Sequence, residues 1–287
     1  MHLSTLRNPI LPTPPAPDSP QPSRRLGLAW PRGLALLACL LVLAGLAWPV
    51  PAQALLSIWP YRQWLQGEAL FAQRADLNKA GQAAQRYRRV LAEQPGNLRA
   101  SLRLVHTLVW LAAHQEDEGK MSLLKEAVQV ADRAARRHPQ DLGVLYWQGV
   151  AAGLLADNSG PVKAYKLVQR VERNMKRLLA LDPAFEYGGA CRVLGRLYTK
   201  LPWFMGGDRR KAELYLKRAV KLGPRYWINY LYLADLYRQQ GRDVEARRLL
   251  RRVVAGGPAP SGQEAESQAW QELAAGLLAQ KLAPPRD

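Results

Sequence analysis

The stretch that decides the fold is YWINYLYLADLYRQQGRDVEARRLLRRVVAGGP, residues 226–258. Small residues (Ala234 and Ala246) and large apolar ones recur at helical spacing on both sides of Gly241. A small residue lets two helices approach closely, large residues fill the space between them, and a final proline ends the second helix. The stretch therefore predicts a pair of antiparallel helices joined by a short turn.

The same pattern recurs along the chain before residue 226. Residues 188–224 open with Leu194-Gly195-x-x-Tyr198 and close on the spacing A-x3-L-x2-A-x4-P. Three weaker units have first helices near 60–76, 98–114 and 141–156, and their closing halves keep this spacing at Ala83–Pro95, Ala127–Pro139 and Val171–Pro183. No segment alternates with period two, so no sheet is expected.

This repeat resembles the tetratricopeptide repeat (TPR) superfamily from residue 55 to the end, most clearly over 188–224 and 225–258. The resemblance implies an all-α fold: a right-handed superhelical array of about five helix hairpins, with the first helices lining a concave face. A last helix near 262–281 should cap the array through Ala269, Trp270, Leu273 and Leu277.

A narrower likeness lies in YGGACRVLGRLYTKLPWFMGGDRRKAELYLKRAVKLGP, residues 187–224. This run resembles the periplasmic TatT component associated with TRAP-type transporters, which pairs an L-G-x-x-Y helix with a Leu-Pro turn, Gly-Gly-Asp and K-A-x-x-x-L-x-x-A. The resemblance implies an exported helical-repeat protein that binds an apolar or carboxylated ligand. It also implies a protein partner, the solute-binding protein of the transporter.

Within that run, LPWFMGGD lengthens one turn. Gly195 and Ala212 lie 17 positions apart, against 12 for Ala234 and Ala246, so this turn is five residues longer. Pro202 should end the first helix and Asp208 should cap the second. Trp203, Phe204 and Met205 are expected to tuck against the neighbouring hairpin, the alternative being the lip of a ligand or partner site.

The N-terminus predicts export. Residues 1–32 form a Pro-rich leader, and 33–54 combine an apolar run with the small-x-small site Ala52-Gln53-Ala54. That arrangement is typical of a secretory signal, and an uncleaved membrane anchor is the main competing interpretation. Leu36-Leu37-Ala38-Cys39 resembles a lipoprotein box, but the apolar run continues well past Cys39, and Arg24-Arg25 lacks the residues that follow a twin-arginine signal. The protein is therefore expected in the periplasm, or held at the inner membrane by residues 33–50.

Neither composition nor motifs indicate catalysis. The formal net charge of +18 comes from basic residues interleaved with acidic ones, and export makes a nucleic-acid partner improbable. Gly206-Gly207 lacks a phosphate-loop context, the two cysteines and four histidines have no metal-binding spacing, and no cofactor is predicted. Cys191 should be a buried packing thiol, and Asp243 should cap a helix that begins at Val244.

The sequence thus predicts a non-catalytic binding or scaffold protein of the bacterial envelope. A TatT-like transporter accessory and an assembly scaffold that recognises peptides or proteins in its groove both fit; an enclosed apolar channel would favour the former. Trp59, Trp64, Trp110, Trp147 and Trp270 should be core residues, whereas Trp203 and Trp227, which flank the clearest hairpin, are the candidates for surface positions. The predicted ligand- or partner-binding residues are Tyr187, Arg192, Arg196, Trp203, Phe204, Met205, Asn229 and Tyr230.

Overall fold

The structure, a computed structural model, describes residues 52–115, 117–257 and 260–280. These residues form eleven α-helices and one 3-10 turn, with no strand among them. In chain order the helices are α1 (Ala52–Phe71), α2 (Leu77–Glu93), α3 (Leu98–Ala113), α4 (Asp117–Arg137), α5 (Leu142–Asp157), α6 (Pro161–Leu181), α7 (Phe185–Lys200), α8 (Arg209–Leu222), α9 (Trp227–Gln239), α10 (Asp243–Val254) and α11 (Glu264–Ala279). The 3-10 turn, Trp203–Met205, lies between α7 and α8.

Consecutive helices pack as the five predicted hairpins, α1/α2 to α9/α10, and α11 packs on the last one. Successive first helices also contact one another, α3 with α5, α5 with α7 and α7 with α9, so they form the inner layer of the stack. The all-α repeat architecture is confirmed.

Close approach within a hairpin depends on a small residue that faces a large one. A Cβ atom added to Gly195 of α7 would lie 2.5 Å from Leu216 of α8, and one added to Gly149 of α5 would lie 2.4 Å from Met175 of α6. Real Cβ atoms do not approach other atoms this closely, so the helices could not keep this separation with a larger residue there. Leu216 and Met175 occupy the same position of the closing motif, as the repeat pattern requires.

The C-terminal helix closes the array onto its beginning. Trp270 and Leu277 are buried, as predicted for a capping face. At the other end of α11, buried Glu266 accepts a hydrogen bond of 2.8 Å from Nε of Arg74, which follows α1. Arg74 also donates to the Gly262 carbonyl at 2.7 Å. Residues 192 positions apart are thus joined by an ion pair that water does not reach.

Three expectations about particular residues are wrong. Asp243 lies inside the first turn of α10, and the cap position belongs to Arg242, whose side chain makes no capping bond. Trp227 is buried at the start of α9, because its indole packs against Gly256. Trp59 is exposed on α1. Trp110, Trp147 and Trp270 are buried as predicted, and Trp64 is partly buried against the core.

The predicted leader and almost all of the predicted signal segment lie outside the described residues, which begin in the first turn of α1. Within the described part of the chain, no helix is both long enough and apolar enough to cross a membrane.

We expect Glu266→Gln to lower the free energy of unfolding by about 3–5 kcal/mol, because it leaves the buried Arg74 guanidinium without a counter-charge. Urea denaturation of the purified protein measures this. The matched control is Glu126→Gln, which breaks the exposed pair with Arg88 at 2.7 Å and should cost less than about 1 kcal/mol. Equal, small losses for the two variants would contradict the closing role of Glu266.

Candidate functional site

A half-open apolar pocket of about 140 Å³ lies between α5, α6 and α7. Its walls are aliphatic, and the apolar side chains that line it are Val150, Leu154, Ala156, Ala164, Val168, Val171, Val193, Leu197 and Leu201. A cavity of this size and lining accepts a group about as large as a benzene ring or a short alkyl chain.

The space exists because α5 carries small residues where larger side chains would fill the gap to the neighbouring helices. Gly149 and Gly153, one helical turn apart, both line the pocket. A Cβ atom on Gly153 would only touch Val171 at 3.7 Å, so this position has room for a side chain in the pocket itself. The helix α5 is largely apolar and is buried by its neighbours, and its polar Gln148 bonds to Asp132 and Asn174 outside the pocket. No polar side chain therefore enters the pocket from α5 until Asp157 at its end.

The polar rim of the pocket is formed by two cations and their partners. Arg196 of α7 bonds to Asp235 and places its guanidinium 4.9 Å from the ring centre of Tyr232. Lys200, one turn further along α7, bonds to Asp157. An anionic group bound at this rim would compete with these carboxylates for Arg196 and Lys200. The pocket can therefore hold an apolar body whose charged end remains at the surface.

Of the predicted binding residues, Arg196 lines this pocket, whereas Arg192, Asn229 and Tyr230 are buried in the interior. Arg192 donates to the Tyr146 hydroxyl at 2.7 Å and to the Asn229 side-chain oxygen at 3.1 Å. Arg192 was expected on an accessible groove surface, and its complete burial corrects that expectation. Replacing it would break the interior network, because its neighbours would lose their hydrogen-bond partner.

The backbone before Arg192 is strained. Glu186 and Tyr187 both adopt left-handed conformations, with φ of 51° and 55°, which cost non-glycine residues energy. This geometry places the Glu186 carboxyl in the interior, where neither oxygen has a hydrogen-bond partner in the described structure. Tyr187 is half-buried, and its ring stacks on Tyr226 with centres 4.9 Å apart.

Burial raises the pKa of Glu186 to about 8, although the positive charges of Arg192 and Arg103 act in the opposite direction. The carboxyl is thus protonated at neutral pH. Burial likewise lowers the pKa of His106 to about 4 despite the nearby Glu266, so the imidazole is neutral. Both groups avoid the cost of an unpaired buried charge by taking their neutral forms.

The Trp203–Met205 turn does not tuck against a neighbouring hairpin. Trp203 is 84% and Phe204 70% exposed, and Met205 is half-buried. The turn closes on itself and on the end of α7: the Gly207 amide donates to the Pro202 carbonyl at 2.9 Å, and the Asp208 amide donates to the Tyr198 carbonyl at 3.1 Å. The aromatic rings therefore project outward. As predicted, Asp208 caps α8, accepting from the Arg210 and Lys211 amides.

The described residues contain no group of three or more His, Cys, Asp or Glu side chains that could hold a metal ion. Cys191 is a free, buried thiol, as predicted, and burial raises its pKa. No serine, threonine, cysteine or histidine is found among the residues that line the pocket.

Sequence reasoning missed most of the pocket. Lys200 and Tyr232 were not selected, because one is an ordinary helix-end lysine and the other belongs to the next hairpin. The Gly149-x3-Gly153 spacing was the available signal, since two small residues on one helical face leave space for a ligand or for a partner helix.

The hairpins, the small-to-large contacts and the capping helix define a tetratricopeptide-repeat protein. The family model TAtT, the TRAP transporter T-component, matches residues 61–282, more than three quarters of the chain. The chain therefore belongs to the TRAP transporter T-component family.

Solved structures resemble the chain to different degrees, and one of the following three exceeds a TM-score of 0.5. The thermophilic TPR protein TTC0263 of Thermus thermophilus superposes with a TM-score of 0.57 at 20% identity, covering 75% of this chain and 98% of that one. MamA protein has a TM-score of 0.44 at 17% identity over 78% of this chain and 98% of its own. Yeast Tom70 has a TM-score of 0.42 at 18% identity over 75% and 39%. No curated protein matches the sequence.

We expect Glu186→Gln to remove one component of the pH dependence of stability. The Glu186 pKa rises from 4.5 in the unfolded chain to about 8 in the folded protein. A group with a raised pKa stabilises the fold at low pH, and this contribution is lost as the pH rises from about 4.5 to 8. Urea midpoints at pH 5, 7 and 9 should fall more steeply for the wild type than for Glu186→Gln. Parallel profiles would refute the buried, neutral carboxyl.

Proposed function

We propose that this protein is a non-catalytic accessory of a TRAP-type transporter on the outer side of the inner membrane. In this proposal it binds the solute-binding protein of the transporter and holds the apolar part of a small ligand in the pocket between α5, α6 and α7. The observation that carries the ligand-handling role is the apolar pocket with Arg196 and Lys200 at its rim.

Family membership supports the transporter role, because a T-component is by its description one part of a larger assembly. The TPR fold and this family are generally not enzymatic, which supports a binding role without chemistry. The envelope location rests on the predicted export signal and on the same family membership.

The interior of the repeat stack favours ligand handling over peptide recognition. Groove-binding TPR proteins need accessible side chains on their first helices, yet Arg192, Asn229 and Tyr230 are buried and bonded to each other or to backbone carbonyls. The pocket between α5, α6 and α7 is accessible and apolar, although it is half-open and not the enclosed channel that would separate the two functions most clearly. An apolar lining of this kind suits the alkyl part of a small ligand better than a peptide backbone.

The partner is tested by size-exclusion chromatography of the chain with a purified TRAP-type solute-binding protein from the same cell. Co-elution as a stable complex is the expected result. If the two proteins elute separately at micromolar concentrations, while affinity capture from envelope extracts recovers components of an assembly machine, the scaffold alternative replaces the transporter role.

The ligand site is tested with hexanoate and with hexanol, which share an alkyl body and differ in charge. We expect both to bind, hexanoate more tightly, with Arg196→Gln removing most of that preference. Gly153→Leu should reduce the affinity for both at least about ten-fold, because the leucine occupies the pocket.

Gly276→Leu is the matched control, since a side chain on Gly276 of α11 meets no atom within 4 Å. Both substitutions replace a helical glycine and should stabilise the helix by roughly 0.5–1 kcal/mol. Calorimetric titration measures affinity, and thermal unfolding confirms that both variants are folded. Unchanged hexanoate affinity in Gly153→Leu would exclude the pocket as the ligand site.

A further inference from the structure

The most exposed apolar side chains of the described residues lie along one edge, although other exposed apolar residues, such as Tyr61 and Leu65 of α1, lie elsewhere. The two helices of each hairpin run in opposite directions, so the turns inside successive hairpins lie on the same side of the stack. We call the turns α5–α6, α7–α8 and α9–α10, with the first helical turn that follows each, the turn edge. In the described part of the chain, the four most exposed large apolar residues all lie there: Val162, Trp203, Phe204 and Val244, each at least 70% exposed.

The aromatic tip of the turn edge is built rigidly. Trp203 and Phe204 pack edge to face with ring centres 5.9 Å apart. Two amide–carbonyl bonds hold the base of the turn, from Gly207 and Asp208 to Pro202 and Tyr198. A Cβ atom on Gly207 would lie 1.9 Å from the Leu201 carbonyl oxygen, so only glycine fits there. The two rings are thus presented to solvent by a fixed scaffold.

Three cations follow this tip directly in the chain. Arg209, Arg210 and Lys211 occupy the first turn of α8 and are exposed. Positive charge at a helix N-terminus opposes the helix dipole, and Asp208, 3.5 Å from the Lys211 ammonium, offsets only part of it. The neighbouring hairpin adds exposed Lys163 and Lys166 beside Val162. Lys211 is further stabilised by the Tyr198 ring, whose centre lies 5.7 Å from its ammonium. Arg209 and Arg210 have no ion pair in the described part of the chain, and residues that break a local stability rule without compensation indicate a function.

The shape and the charge of the tip, from Trp203 to Lys211, together favour one class of partner. The positive charge is local to this part of the turn edge, because the first turn of α10 carries Asp243 and Glu245. A protein partner that received Trp203 would need a matching pocket, whereas a bilayer surface accepts a protruding aromatic wedge without one. Tryptophan and phenylalanine partition into the headgroup region, and surrounding Lys and Arg residues are attracted to anionic lipids. Val162 and Val244 add exposed apolar side chains on the neighbouring hairpins, on the same side of the stack as the tip.

We propose that the turn edge binds the surface of an anionic lipid bilayer, with Trp203 and Phe204 inserted among the headgroups and Arg209, Arg210 and Lys211 on the lipid phosphates. This inference is independent of the proposed transporter role. It also places the pocket at the membrane, because Leu201 lines the pocket and the next residues form the tip. An apolar ligand could then pass between bilayer and pocket over a short distance.

The test places an environment-sensitive NBD label at the tip through Phe204→Cys, in a Cys39→Ser background that leaves only the buried Cys191. The chain is exported to the periplasm before purification, so that it carries its natural N-terminus. Leu214→Cys is the matched control: Leu214 is 67% exposed but lies in the second turn of α8, outside the turn edge. The label reports the tip itself, whatever else in the chain contacts lipid.

With vesicles of about 30% phosphatidylglycerol in phosphatidylcholine, we expect a blue shift and brominated-lipid quenching at position 204 but not at 214. The shift should be absent with pure phosphatidylcholine. Arg209→Glu with Arg210→Glu should weaken binding at least about ten-fold, since each basic residue near an anionic surface contributes roughly five-fold. No shift at 204, or equal shifts at 204 and 214, overturns the proposal. A shift at 204 caused by the solute-binding protein and not by vesicles assigns the tip to a protein partner and also overturns it.

Discussion

Close packing of a small residue against a large one is the constraint on which this structure depends. In at least three hairpins a first-helix glycine faces the bulky residue of the closing motif: Gly67 with Tyr87, Gly149 with Met175 and Gly195 with Leu216. No single hairpin buries enough apolar surface to be stable alone, so the helices must approach closely enough to stack. The glycines set that separation, and the inner layer of first helices follows from it.

A second layer of organisation lies in the polar interior. Arg74, Arg192, Glu186 and Glu266 are buried on elements from opposite ends of the stack, and ring contacts connect them, such as His106 on Trp147 at 4.5 Å. Apolar contacts alone would allow similar helices to pack at several positions shifted along their axes. The buried ion pair between Arg74 and Glu266 selects one of these positions, because any other position would leave a buried charge without its partner. The polar contacts therefore fix how the cap meets the first hairpin.

Side-chain volume also explains where this protein can bind a ligand. A pocket remains between α5, α6 and α7 because Gly153 and its small neighbours do not fill the space, although the hairpin is held together at Gly149 and Met175. The aromatic turn can stand away from the core for a different reason: the Gly207 and Asp208 amides find their hydrogen-bond acceptors locally, at Pro202 and Tyr198. The pocket thus results from small side chains, and the exposed turn results from a backbone whose hydrogen bonds are made locally.

The fold was readable from the sequence because repeat spacing is local. The positions of Ala212, Leu216 and Ala219 within one helix identify the motif, and five hairpins with a cap follow by repetition. The cap at Asp208 was also predictable, since it depends on residues close in the chain, and the burial of Cys191 followed from its position in the repeat motif.

The site was much less predictable, because burial depends on residues that are distant in sequence. Arg192 and Asn229 carry polar side chains on first helices, which suggests that they face the groove. In the structure, α7, α9 and their neighbours enclose both side chains. Glu186 gave no sign of its left-handed backbone. Trp203 lies in a turn that is five residues longer than the corresponding turn of the clearest repeat, so the repeat pattern does not predict where its ring points. The hydrogen bonds of the Gly207 and Asp208 amides, which shape this turn, are visible only in the structure. Sequence alone determined which helices pair, through short-range volume matching; the tertiary structure decided which side chains reach solvent, because exposure is set by whatever else folds against them.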